Sequence, residues 1–101
     1  IIRFIDELPR DKTRDILCNQ LLRSATSIGA NVIEASSASS KKDYTNFFTY
    51  ALKSANETKF WLGLLRDSGK ANKDITNKHL KETSEIANIL ASSILTLKGK
   101  K

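Results

Sequence analysis

Thr13-Arg-Asp-Ile-Leu-Cys-Asn-Gln-Leu-Leu-Arg-Ser-Ala-Thr-Ser-Ile-Gly-Ala-Asn-Val-Ile-Glu-Ala-Ser-Ser-Ala-Ser39 is the stretch that decides the fold. Within it Leu17, Leu21, Ala25, Ile28, Val32 and Ala35 recur at alternating steps of four and three residues. That spacing lays one apolar stripe along a helix. Small side chains crowd the same segment, among them Ser24, Ser27, Gly29, Ala30 and Ser36. They let a neighbouring backbone approach closely, although Gly29 costs about 1 kcal/mol of helix propensity. A helix of this length must bury its stripe against other helices.

Upstream, Pro9 is the only proline, and the residue before a proline is pushed out of the helical region. A first helix therefore ends near Leu8. Its visible stump carries Ile1, Phe4 or Ile5, and Leu8 at helical spacing. Downstream, Ser39-Ser40-Lys41-Lys42-Asp43 is a break, and Ser40 with Asp43 three residues on resembles a capping box. A third helix then runs to about Asp67 with Tyr44, Phe47, Phe48, Ala51, Ala55, Thr58, Leu62 and Leu65 on one face. Ser68-Gly69 ends it, glycine accepting the left-handed conformation. Lys70 to Asn77 reads as a polar loop with Asp74 and Thr76 as capping candidates. A fourth helix carries Leu80, Thr83, Ile86, Ala87, Leu90, Ile94 and Leu97 and stops at Gly99. No strand-like alternation, hairpin signal or internal repeat is evident. Short breaks make antiparallel neighbours, so the expectation is an all-α, up-down four-helix bundle, a single domain over residues 1–101 whose first helix is truncated.

The length of 101 residues allows one modest core. With 40% hydrophobic and 28% charged residues, four Gly, one Pro and one Cys, collagen, low-complexity disorder and a disulfide-stapled secreted domain are excluded. No apolar run approaches the roughly 18 residues of a membrane span. The absence of Met, with Ile1-Ile2 at the front, implies missing upstream residues. Seventeen Lys plus Arg against eleven Asp plus Glu give a formal charge of +6, which favours anionic partners and also keeps a small domain in solution.

Helical residues advance about 100° each, so faces follow by arithmetic. On the third helix Tyr50, Glu57, Phe60, Trp61 and Leu64 fall opposite the core stripe, where a monomeric bundle should be polar. A contiguous aromatic face there marks an interface, so Tyr50, Phe60, Trp61 and Leu64 are the expected contacts of a homo-oligomer. On the second helix Gln20, Arg23, Ser27, Asn31 and Glu34 share a polar arc, while Leu22 and Ile33 lie beyond the main stripe. That helix reads as covered on more than one side. Gln20, Arg23, Asn31, Glu34 and, from the third helix, Glu57 are the expected members of a buried hydrogen-bonded network that fixes helix register.

Catalysis finds little footing. Glu34 and Glu57 lack the defined cleft that paired-carboxylate hydrolysis needs. His79 is the only histidine and no Glu-x-x-His motif occurs, which leaves no metal site. His79 beside Lys78 and Lys81 reads as a solvated group. Cys18 has no second cysteine and no activating helix terminus, so it reads as a small core residue. Gly63 and Gly69 are isolated, and no phosphate loop exists. The expectation is no enzyme, no catalytic residue, no cofactor and no small-molecule substrate.

Gln20-Leu-Leu-Arg-Ser-Ala-Thr-Ser-Ile-Gly-Ala-Asn-Val-Ile-Glu-Ala35 is distinctive beyond a generic helix, as is Ala51-Leu-Lys-Ser-Ala-Asn-Glu-Thr-Lys-Phe-Trp-Leu62. Together they resemble the bacterial four-helix bundle family named after proteins encoded in 23S rRNA intervening sequences. Gln20, Arg23, Ser27, Ile28, Asn31, Glu34 and Ala35 fall where that family keeps them, and the third helix adds Ala51, Glu57 and Leu62. Thr58 and Trp61 are typical of one branch. The resemblance implies a homopentamer of small bundles, no enzyme activity and a cytoplasmic location. A related branch, accessory proteins of diversity-generating retroelements, pairs with a reverse transcriptase and binds nucleic acid. Two functions follow as expectations: a basic oligomer that binds RNA or DNA, or a structural scaffold or protein-partner adaptor with no nucleic-acid role. The sequence carries no recognised groove-reading motif.

An up-down bundle puts the break between helices two and three at the same end as the C-terminus. That end collects Lys41, Lys42, Lys98, Lys100 and Lys101 against Asp43 and the terminal carboxylate. The opposite end gathers Arg10, Lys12, Arg14, Arg66, Lys70 and Lys73, diluted by Asp11, Asp15, Asp67 and Asp74. The first end is therefore the expected anion-binding surface.

Overall fold

The structure is a computed structural model that describes residues 1–99. Four helices follow in order: α1 (Ile2–Asp6), α2 (Lys12–Ser36), α3 (Lys41–Asp67) and α4 (Lys73–Leu97). No strand occurs among the described residues. Each long helix starts on a side-chain cap that satisfies a first-turn N–H. Asp11 accepts from the Arg14 amide at 2.7 Å, Ser40 from the Asp43 amide at 3.1 Å and Asn72 from the Ile75 amide at 3.0 Å. Gly69 follows α3 at φ 76°, a left-handed conformation that a side chain would strain.

Two helix ends differ from the sequence expectation. α2 stops at Ser36 instead of Ser39, in a serine-rich run whose hydroxyls compete for backbone carbonyls; Ser36 itself donates to Ile33 O at 2.6 Å. α4 begins at Lys73, so most of the expected loop is helix. Asp74 and Thr76 lie inside its first turn, where Thr76 is fully buried and donates to Asn72 O at 2.6 Å.

α3 is the central helix, packed by α2 on one side and α4 on the other. The cross-helix partners run in opposite directions along the chain: Lys70 with Asp11, Glu57 with Arg23, Thr58 with Ser24, and Arg66 with Asn77. Neighbours are thus antiparallel, and the all-α, up-down bundle is the observed architecture.

The core has two parts. Near the α1–α2 turn, Phe4, Ile5, Leu17, Cys18, Leu21, Leu62 and Leu65 form a cluster joined by the partly buried Trp61 and Leu80. Further along, Ala51, Ala55, Ala87 and Leu90 pack with Ile28, Phe48 and Leu52. Alanines there let α3 and α4 come close, and the cluster is correspondingly lean. Two residues assigned to core stripes, Val32 and Ile86, are exposed. Ile86 falls at the edge of its stripe by the 100° arithmetic, while Val32 falls inside its own; both lie on the outer helices.

Candidate nucleic-acid interface

Because Ser40 caps α3 where it does, Lys41 and Lys42 occupy the first turn of that helix. Lys98 is the C-terminal cap of α4. The antiparallel packing brings these three lysines together around one open depression of about 360 Å³, walled also by Thr45, Asn46 and Leu97. Lys100 and Lys101, assigned to the same patch, lie outside the described residues. Asp43, the acid of this end, accepts from Ser39 Oγ at 3.3 Å. Among the described residues Lys41, Lys42 and Lys98 form no ion pair.

The opposite end is arranged differently. Arg10 and Arg14 both pair with Asp15, at 3.3 and 2.9 Å, Lys70 pairs with Asp11 at 2.9 Å and Arg66 with Asp67 at 2.8 Å. These contacts hold the acids ionised. The Arg14 side chain, then Arg10, lowers the carboxyl of Asp15, and the Arg14 amide, then Lys70, lowers that of Asp11. Arg14, counted from sequence among the cations of that end, is buried and donates to the backbone carbonyl of Ile5. It ties α2 to α1. Four of the six cations of that end, Arg10, Arg14, Arg66 and Lys70, are engaged in ion pairs, whereas Lys41, Lys42 and Lys98 are in none.

The polar stripe is only partly a network. Arg23 donates to Gln20 Oε1 at 3.0 Å and to Glu57 across α2 and α3, and the Trp61 indole N–H reaches the same Glu57 oxygen at 3.2 Å. Trp61 first, then Arg23, holds the Glu57 carboxyl below its ordinary value. The other members do not join. Asn31 donates back to Ser27 O within α2 at 2.8 Å, and Glu34 is exposed with no partner among the described residues. Nor is the network buried in the single chain, since the Arg23 and Glu57 side chains are 52% and 37% exposed. In the single chain α2 has α3 on one side only, so its far flank stays open.

The aromatic face is present. Tyr50, Leu64 and Phe60 are exposed, Phe60 to 58%, while Trp61 is half-buried, packed on the core and set edge-on to Phe60 at 4.9 Å. Leu22 and Ile33 are exposed on α2, and Ile89 and Leu95 on α4, the last two not anticipated from sequence. His79 differs from its reading as a solvated group: it is half-buried against Phe4 with ring centroids 4.9 Å apart, and burial lowers its pKa. Cys18 is buried, which raises its thiol pKa. Among the described residues no group of His, Cys, Asp and Glu could hold a metal ion. None of the described helices is long and apolar enough to cross a membrane.

Fold and surface together define a small all-α bundle with an unpaired basic end. The family model of 23S rRNA-intervening sequence proteins matches residues 1–92, and the chain belongs to that family. It is similar in structure to a protein of unknown function from the S23 ribosomal protein family of Bacteroides thetaiotaomicron, known from a crystal structure at 1.70 Å. The two share 40% identity and a TM-score of 0.77 over 78% of this chain and 73% of the other. No curated protein is matched.

Proposed function

We propose that this chain is the subunit of a small, basic homo-oligomer that binds nucleic acid, RNA or DNA, through the Lys41, Lys42 and Lys98 end, without enzymatic activity or cofactor. One observation carries the reading: four of the five ion pairs among the described residues sit at the opposite end, and none involves these lysines. Unpaired ammonium groups around one depression are free to displace the counterions of a phosphate backbone. Assembly through Tyr50, Phe60 and Leu64 into a closed ring, a pentamer by family resemblance, repeats the patch around one rim and multiplies weak contacts by avidity.

The test is a matched pair of charge reversals. Lys41→Glu with Lys42→Glu is expected to weaken binding of a labelled oligonucleotide, whereas Arg10→Glu with Lys70→Glu removes cations already engaged with Asp15 and Asp11 and is expected to weaken it less. Equal effects from both pairs, or no binding by the parent, would favour a scaffold with no nucleic-acid role.

A further inference from the structure

Tyr44 and Phe48, one turn apart on α3, stack with ring centroids 4.8 Å apart and planes 25° apart. Both are half-buried, and both line an open groove of about 610 Å³ against α4. From α4 come Asn88 and Ile89, the latter 65% exposed. The carboxamide of Asn88 makes no hydrogen bond among the described residues, so it keeps both a donor and an acceptor. The groove is continuous with the lysine patch. Leu97 lines both the groove and the depression of Lys41, Lys42 and Lys98, and Lys41 and Tyr44 share a recess between them.

Duplexes keep their bases stacked inside and present chiefly phosphates, while single strands present phosphates together with flat base surfaces and unpaired base edges. Ring surface, an aliphatic wall and a free carboxamide beside unpaired ammonium groups match the second. We infer that the groove takes an unstacked base of a single-stranded nucleic acid whose phosphates lie on Lys41, Lys42 and Lys98. This rests on the nucleic-acid reading above and names the form that the surface selects. The base adds a layer beside Tyr44 and Phe48, and Asn88 meets its edge.

Fluorescence anisotropy with a labelled single-stranded oligonucleotide, and with the duplex made from it, separates the two claims. The parent is expected to bind the single strand more tightly. Tyr44→Leu, which keeps an apolar filling, is expected to weaken single-strand binding at least about fivefold and to leave duplex binding unchanged. The double Lys41→Glu, Lys42→Glu variant should weaken both. Tyr44→Trp preserves stacking, should bind like the parent, and gives an added emission that the single strand quenches and the duplex does not. The inference is overturned, with the nucleic-acid reading intact, if the parent binds both forms equally, if Tyr44→Leu leaves single-strand affinity unchanged, or if the Tyr44→Trp emission ignores the single strand. A changed oligomer mass for Tyr44→Leu also overturns it, since the groove is then a subunit contact. If the parent binds neither form, both claims fall.

Discussion

Thr58 Oγ1 donates a 2.9 Å hydrogen bond to Ser24 Oγ across the α2–α3 contact, with both side chains fully buried. Ser24 donates to the Leu21 carbonyl of its own helix at 3.1 Å, and the Ser54 carbonyl lies 2.8 Å from Thr58 Oγ1, so the single Thr58 proton is shared between Ser24 and Ser54. The pair is a polar clip inside an otherwise apolar contact, and its groups have partners in either helix. Thr58→Val keeps the shape and removes the hydroxyl, so a loss of about 1 kcal/mol is expected in chemical denaturation. Combined with Ser24→Ala in a double-mutant cycle, a coupling of roughly 0.5–1.5 kcal/mol is expected. Strict additivity would mean that the two hydroxyls do not interact.

Phe60 offers the cleanest probe of assembly, because it is more exposed than Trp61 and less engaged with the core. Light scattering of the parent at micromolar concentration is expected to give a multiple of the 11.3 kDa chain mass. Phe60→Asp places a charge in a dry contact and is expected to shift the mass toward one chain, with helical content unchanged by circular dichroism. A monomeric parent would remove the oligomer from the proposal.

Glu57 gives the fold a signature in acid. Its carboxyl is held below the ordinary value of 4.5 by Trp61 and Arg23, so the folded state favours the ionised form more than the unfolded chain does. The stabilisation is complete above the unfolded value and is lost as pH falls through the lower folded value. Glu57→Gln should therefore be less stable than the parent near neutrality, and the gap in denaturation midpoints should close as the solution is acidified below the ordinary carboxylate range. A constant gap across that window would show that the carboxylate charge does not matter. If Glu57→Gln abolished a hydrolytic activity at unchanged melting temperature, the non-enzymatic proposal would fail instead.

Much of this arrangement was legible in the sequence, and the residues show where legibility ended. Periodicity placed Leu21, Leu62 and Leu65 in the core because three- and four-residue spacing reports angle around a helix directly. The same spacing grouped Gln20, Arg23, Asn31 and Glu34 on α2, with Glu57 expected from α3, but angle is not depth. Asn31 and Glu34 do not join, and the rest is half-exposed because α3 covers only one flank of α2. Asn72 went unnoticed as a cap, since the polar run after it hides a helix start that only Ile75 marks. Arg14 counts in the sequence only as one more cation of its end, because nothing local reveals that α1 folds back and offers it the Ile5 carbonyl. The lysine patch was legible because chain breaks alone fix which helix ends meet. That Arg10, Arg14, Arg66 and Lys70 at the opposite end are paired depends on side-chain geometry, which chain breaks do not fix.

The salt dependence of nucleic-acid binding tests the central claim most directly. Each lysine that engages a phosphate adds about 0.7 to 0.9 to the slope of log affinity against log salt concentration. With Lys41, Lys42 and Lys98 engaged, affinity should fall with a slope of about 2 to 3 for each contacting subunit. Reversing Lys41 and Lys42 to Glu should flatten it while the oligomer mass stays that of the parent. A parent whose binding does not respond to salt, or a double variant with the slope of the parent, would contradict the claim.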